Sequence, residues 1–114
     1  MDKGIELRKQ PRMEVSWPIT IFCENEKMNG ELRNISTEGL FIRCTKPLPL
    51  NKVFDISIFP PDQQTLCLKG KIIWSDMYGI EGGEKPDIYG LGVCLAELSE
   101  EDKEKIKEMI RSYL

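Results

Sequence analysis

Apolar and polar residues alternate along most of this chain. Val15, Trp17, Ile19 and Ile21 are separated by Ser16, Pro18 and Thr20. A repeat of two sends successive side chains to opposite faces of a strand, so the segment predicts a strand with one buried face. Pro18 has no N–H to give to a ladder, which predicts either an edge position or a bulge there. After the polar turn "ENEK" comes "MNGELRNI", and after "STE" comes "GLFIRC". "KPLPLN" interrupts the pattern, because two prolines exclude a central strand. "VFDISIF" resumes it, with Phe54, Ile56 and Ile58 in phase. Beyond the turn "PPDQQ", "TLCLKGKIIW" aligns Leu66, Leu68, Ile72 and Trp74 on one face. Gly70 in its middle predicts a bend or a close backbone approach. The glycine- and acid-containing "SDMYGIEGGEKPD" reads as a long loop. The last strand, "IYGLGVCLA", sets Tyr89, Leu91, Val93 and Leu95 against Gly90, Gly92 and Cys94. Trp17 and Trp74 both fall in phase with apolar neighbours and are expected in the core.

The tail changes period. Ser99 is an expected helix N-cap, followed by acids in the first turn. Ile106, Met109, Ile110, Tyr113 and Leu114 then recur at helical spacing and form one apolar stripe, expected to pack on the strands. Six short strands followed by a helix predict a mostly β fold. It is a six-stranded antiparallel barrel, which removes exposed sheet edges, with a C-terminal α-helix docked on it. The expected division of this single domain is an N-terminal arm over residues 1–13, a barrel over 14–97 and a helix over 98–114.

Length and composition narrow the picture. A chain of 114 residues fits one domain, and at this size roughly two-thirds of the unfolded surface is buried. Hydrophobic residues at 40 % and charged residues at 31 % are a globular balance rather than a disordered one. The net charge of -3 argues against DNA binding, which rests on a broad basic face. No apolar stretch approaches the roughly twenty residues needed to cross a bilayer, and "MDKGIELRKQP" lacks the apolar region of a secretory signal. A cytoplasmic location without membrane insertion is therefore expected. Cys23, Cys44, Cys67 and Cys94 are widely spaced, and the chain has no histidine. The usual zinc spacings are missing, so no metal site is expected. The thiols are expected to be reduced and buried as small hydrophobes.

Two short stretches stand apart from the strand pattern. "LRKQPR" puts Arg8, Lys9 and Arg12 just ahead of the first strand of an acidic protein. Guanidinium is planar, always charged and forked, so it pairs bidentately with phosphate or with the N7/O6 edge of guanine. Taken alone, the stretch also reads as a solvated basic segment balancing Asp2 and Glu6. "RNISTEG" places Asn34 and Ser36 two residues apart, predicting a common face, with Gly39 three residues on. Asn and Ser carry donors and acceptors that can read a base edge, and they equally stabilise hairpin turns.

Taken together, the arrangement of Arg8 and Arg12 followed by Asn34, Ser36 and Gly39 resembles the signature of the PilZ domain family. "LKGKIIWSD" resembles that family's penultimate strand, and "YGLGVCLAEL" its closing strand. The likeness spans residues 7–114. It implies a PilZ-like split barrel and a bacterial second-messenger receptor for cyclic di-GMP. On this resemblance Arg8 and Arg12 clamp the ligand from the N-terminal loop. Asn34 and Ser36 read the base, Gly39 admits the backbone closely, and Lys9 adds screening charge. Glu38 departs from what two phosphates would favour. Leu7 stands where an arginine would stack on a second nucleotide, so one ligand per site is expected.

The expected role is that of an adaptor with no chemistry and no cofactor of its own, whose arm orders on the ligand and presents a face to an unidentified protein effector. The alternative is a PilZ-like protein-interaction module that does not bind nucleotide. Catalysis is not expected, because histidine, a Gly-rich phosphate loop and a nucleophile elbow are all missing. An oligonucleotide-binding barrel would need exposed aromatics among cations, which the expected core positions of Trp17 and Trp74 oppose.

Overall fold

The computed structural model describes residues 12–61, 64–78 and 88–113. Its strands are β1 (Met13–Phe22), β2 (Lys27–Ile35), β3 (Gly39–Cys44), β4 (Val53–Ile58), β5 (Leu66–Tyr78) and β6 (Ile88–Ala96), followed by helix α1 (Glu100–Tyr113). All neighbours are antiparallel, in the order β1-β2-β3-β6-β5-β4, and β4 pairs back onto β1 to close the barrel. The expected six-stranded barrel with a C-terminal helix is what forms.

The inward residues are those the alternation picked out. Ile21, Leu32, Ile42, Ile58, Ile72 and Leu91 have essentially no exposed surface. Burying a side chain of this kind stabilises the fold by about 1.5–3 kcal/mol. At Gly70 the chain makes the expected close approach: a Cβ there would lie 2.3 Å from Val93 Cγ1. The helix closes one side of the core through Ile106, Met109 and Ile110. Its first turn is capped by Ser99, whose Oγ accepts from Asp102 N at 3.0 Å. The side chains of Tyr113 and Leu114 lie outside the described residues.

Three irregularities in the ladders shape the outer wall. The β1–β2 register shifts between Glu14 and Trp17, the bulge that Pro18 hinted at; in a closed barrel Pro18 occupies no edge. The β2–β3 register shifts between Leu32 and Asn34, and the β5–β6 register between Ile72 and Trp74. The last shift corrects the expectation for Trp74. An extra residue at Ile73 breaks the alternation, so Ile72 is buried while Ile73 and Trp74 both face out, at 48 % and 42 % exposure. Trp17 is in the core as expected.

Two further expectations need correction. β5 continues through "SDMY" to Tyr78, because its ladder with β6 extends to the Tyr78–Ile88 pair. Ser75 and Asp76, on alternate faces of that extension, are both exposed. Only Cys44 is a buried thiol; Cys23 is half-buried, and Cys67 and Cys94 are exposed. The last two occupy the outward phase of β5 and β6, which the apolar runs around them obscure. All four are free thiols.

Candidate functional site

The site is assembled by strand register. Asn34 pairs with Phe41, Phe41 with Gly92, and Gly92 with Trp74. These four residues form one row across β2, β3, β6 and β5 on the outer wall. Strands lie about 4.8 Å apart, so the row extends about 14 Å. Phe41 and Trp74 stack with ring centroids 5.6 Å apart and an interplanar angle of 29°. They meet across Gly92, where a Cβ would lie 2.1 Å from Trp74 Nε1. The asparagine amide makes no side-chain hydrogen bond among the described residues, which leaves its donors and acceptor available.

At one end of this row the chain turns from β2 to β3. Ser36 is buried, and its Oγ accepts from Glu38 N at 3.1 Å and Gly39 N at 3.2 Å. Ser36 N in turn donates to Gly39 O at 2.9 Å. The hydroxyl thus holds the turn, while Asn34 belongs to the strand wall. Gly39 is required by a close approach: a Cβ there would sit 2.5 Å from Val93 O. The approach is to the neighbouring strand, as β6 docks beside the turn through the hydrogen bond from Leu95 N to Glu38 O at 3.0 Å.

Arg12 immediately precedes β1, whose first residue Met13 pairs with Ile35 at the end of β2. That pairing brings Arg12 to the turn. Arg12, Asn34, Ser36, Gly39 and Trp74 line one open cleft of about 510 Å³. Glu38 and Cys94 also border it, and both are exposed. Three of the sequence-predicted site residues besides Arg12 therefore come together with it. Arg8 and Lys9 lie outside the described residues.

Beside the cleft, β2 carries a polar network. Glu31 accepts from Ser16 Oγ, and Arg33 Nη1 lies 3.4 Å from the same carboxylate. The Ser16 hydrogen bond, with Arg33 adding its charge, holds the Glu31 carboxyl below the usual carboxylate range against the opposing effect of burial. Among the described residues, no group of His, Cys, Asp and Glu is placed to hold a metal ion, and no helix is long and apolar enough to cross a membrane.

Sequence reasoning did not find Phe41, Trp74 or Gly92. A signal for Phe41 was present: it is aromatic yet falls on the polar phase of "GLFIRC", between the buried Leu40 and Ile42. Nothing in the sequence locates the β5 bulge that exposes Trp74.

A closed six-stranded barrel with a basic residue at the entry of its first strand and a polar turn between its second and third defines the class. The PilZ domain family model matches residues 6–112, and the chain belongs to that family. Solved structures share the fold at low sequence identity. The PilZ domain of YcgR from Escherichia coli with c-di-GMP superposes with a TM-score of 0.78 at 14 % identity, covering 92 % of this chain and 89 % of that one. The K. pneumonia MrkH complex with c-di-GMP gives a TM-score of 0.78 at 10 % identity, over 93 % of this chain and 52 % of that one. The Borreliella burgdorferi PlzA protein in complex with c-di-GMP gives 0.65 at 13 % identity, over 96 % and 53 %. This chain thus spans about half the length of MrkH and PlzA. Comparison with curated protein sequences gave no match.

Proposed function

We infer that this PilZ domain is a receptor for cyclic di-GMP and that the ligand occupies the cleft at the β2–β3 turn. The observation that carries this reading is the convergence of Arg12, Asn34 and the Ser36–Gly39 turn on one face with an exposed tryptophan. Each part matches a chemical feature of a cyclic dinucleotide. The Arg12 guanidinium suits phosphate or a purine edge. Asn34 supplies a free amide for base hydrogen bonds. Trp74, already supported by Phe41, offers an aromatic surface on which a base gains about 1–3 kcal/mol by stacking. Arg8 and Lys9, a few residues before Arg12 in the chain, complete the cation set. The YcgR, MrkH and PlzA structures carry c-di-GMP themselves, which supports the same ligand here.

The arm that carries Arg8 and Lys9 closes on the bound ligand, and the surface so formed is read by a protein effector. The domain is an adaptor that performs no chemistry, acting in the cytoplasm without inserting into a membrane or binding DNA. Isothermal titration with cyclic di-GMP tests the ligand. Charged hydrogen bonds contribute about 1.5–3 kcal/mol each. Arg8→Ala or Arg12→Ala therefore weakens binding at least about tenfold, and the double substitution abolishes measurable heat. No heat from the unaltered protein refutes the receptor reading.

One observation favours the alternative of a nucleotide-free interaction module. Glu38 borders the cleft and brings a carboxylate to a place where phosphates would bind. Glu38→Gln separates the two readings: a receptor binds the ligand more tightly, whereas an interaction module still binds none.

A further inference from the structure

Outer-face residues recur every second position along each strand, and the row next to the aromatic one has a different composition. Glu31 pairs with Arg43, Arg43 with Gly90, and Gly90 with Asp76. Arg43 and Asp76 are both exposed. They stand on either side of Gly90, two strand spacings apart, or about 9.6 Å between backbones. Among the described residues neither takes part in an ion pair. Glu31, opposite Arg43 in the ladder, has its carboxyl held below the usual range mainly by the Ser16 hydrogen bond, with Arg43 adding the smallest share. On β3, β6 and β5 the aromatic row lies two residues along, about 6.8 Å away. A permanent forked donor and a carboxylate acceptor therefore face each other over a side-chain-free strip, one step from the stacked Phe41 and Trp74.

We propose that Arg43 and Asp76 form a guanine-reading subsite that extends the cleft along β6. The proposal rests on the reading of this domain as a cyclic di-GMP receptor. Guanine presents acceptors at N7 and O6 on one edge and donors at N1 and N2 on another. Arginine pairs with the first edge as a fork, and a carboxylate accepts from both donors of the second. Gly90 between them leaves the floor clear for the plane of the base. Adenine fails this arrangement, because its N1 is a lone pair that would face the Asp76 carboxylate. Asn34 and Trp74 hold one half of a cyclic dinucleotide; Arg43 and Asp76 take the base of the other half.

The test is titration of the unaltered protein, Arg43→Ala and Asp76→Ala with cyclic di-GMP and with cyclic di-IMP, whose bases lack the N2 amino group. Both positions are exposed, and unchanged urea midpoints confirm that the variants fold. The unaltered protein is expected to prefer cyclic di-GMP. Arg43→Ala weakens both ligands about tenfold, as loss of a charged hydrogen-bond pair does. Asp76→Ala weakens cyclic di-GMP at least about fivefold through the lost bonds, and narrows its preference over cyclic di-IMP. Unchanged affinities in both variants, or tighter binding by Asp76→Ala, overturn the subsite while leaving the receptor reading intact. Failure of the unaltered protein to bind either ligand overturns both.

Discussion

The indole of Trp74 occupies the space that a side chain at Gly92 would need: a Cβ on residue 92 would fall 2.1 Å from Nε1 and 2.3 Å from Cε2 of the ring. The aromatic platform of the cleft therefore depends on a missing methyl group. Gly92→Ala forces the ring outward and off Phe41, at a cost of about 0.5–1.5 kcal/mol for the lost aromatic pair. The same change removes a stacking surface worth about 1–3 kcal/mol to a base. Cyclic di-GMP affinity is expected to fall about tenfold or more, while the unfolding midpoint falls only by the amount the lost aromatic pair accounts for. Titration calorimetry and urea denaturation, run in parallel, check the two halves.

Ser36 and Asn34 are neighbours in the signature but differ in role. Ser36 Oγ accepts from two backbone N–H groups and is itself buried. Ser36→Ala leaves those donors short of a partner and is expected to destabilise the fold by about 1–3 kcal/mol. Asn34→Ala removes no side-chain hydrogen bond among the described residues, so stability should hold while ligand affinity drops. Chemical denaturation of both variants distinguishes a turn residue from a reading residue.

The four thiols should differ in reactivity. Burial pushes the Cys44 thiol up, a hydrogen bond with the Lys46 backbone opposing it only in part, and the thiolate is the reactive form. Cys67 and Cys94 are open to solvent. Iodoacetamide at neutral pH is expected to label Cys67 and Cys94 first and Cys44 last, with Cys44 reacting only on unfolding. Peptide mass spectrometry over a time course reads the order. Since Cys94 borders the cleft, bound nucleotide should slow its labelling and leave Cys67 unaffected.

Glu31 gives the fold a pH dependence of definite sign. Its pKa is lowered in the folded state, first by the Ser16 hydrogen bond and then by Arg33. A lowered carboxylate pKa stabilises the fold above the unfolded value, and that stabilisation is lost as pH falls through the folded one. Replacing Glu31 by Gln removes the titration. Relative to Glu31→Gln, the unaltered protein should lose stability as pH drops through and below the ordinary carboxylate range, and not above it. Thermal melts at several acidic pH values measure the difference. The Glu31 side chain is 38 % exposed, so salt should shrink the effect.

Much of this architecture was legible because burial imposes a strict period. Ile19, Ile21, Ile56, Ile58, Leu91 and Val93 reported their faces directly. Ser99 marked the helix start by its chemistry, and the polar turn and its glycine marked one end of the cleft. What the alternation concealed arose at bulges. One additional residue at Ile73 reverses the phase downstream, so Trp74 reads as core and stands in the cleft. Register explains the rest: Arg43, Gly90 and Asp76 are distant in sequence and become neighbours only because β6 inserts between β3 and β5. No local pattern encodes that insertion.

The ring of strands has a further consequence for whatever this domain meets. Where β4 returns to β1 the seam is sealed over Ile19–Phe22 alone, and β4 covers β5 only as far as Lys71. Among the described residues, the early part of β1 and the far end of β5 therefore carry a ladder on one flank only. Along the sealed seam a visiting polypeptide finds no backbone to zip onto and must be gripped by side chains on the outer wall. Disrupting a complex seated there calls for point changes in exposed residues rather than for mimicry of an extended peptide.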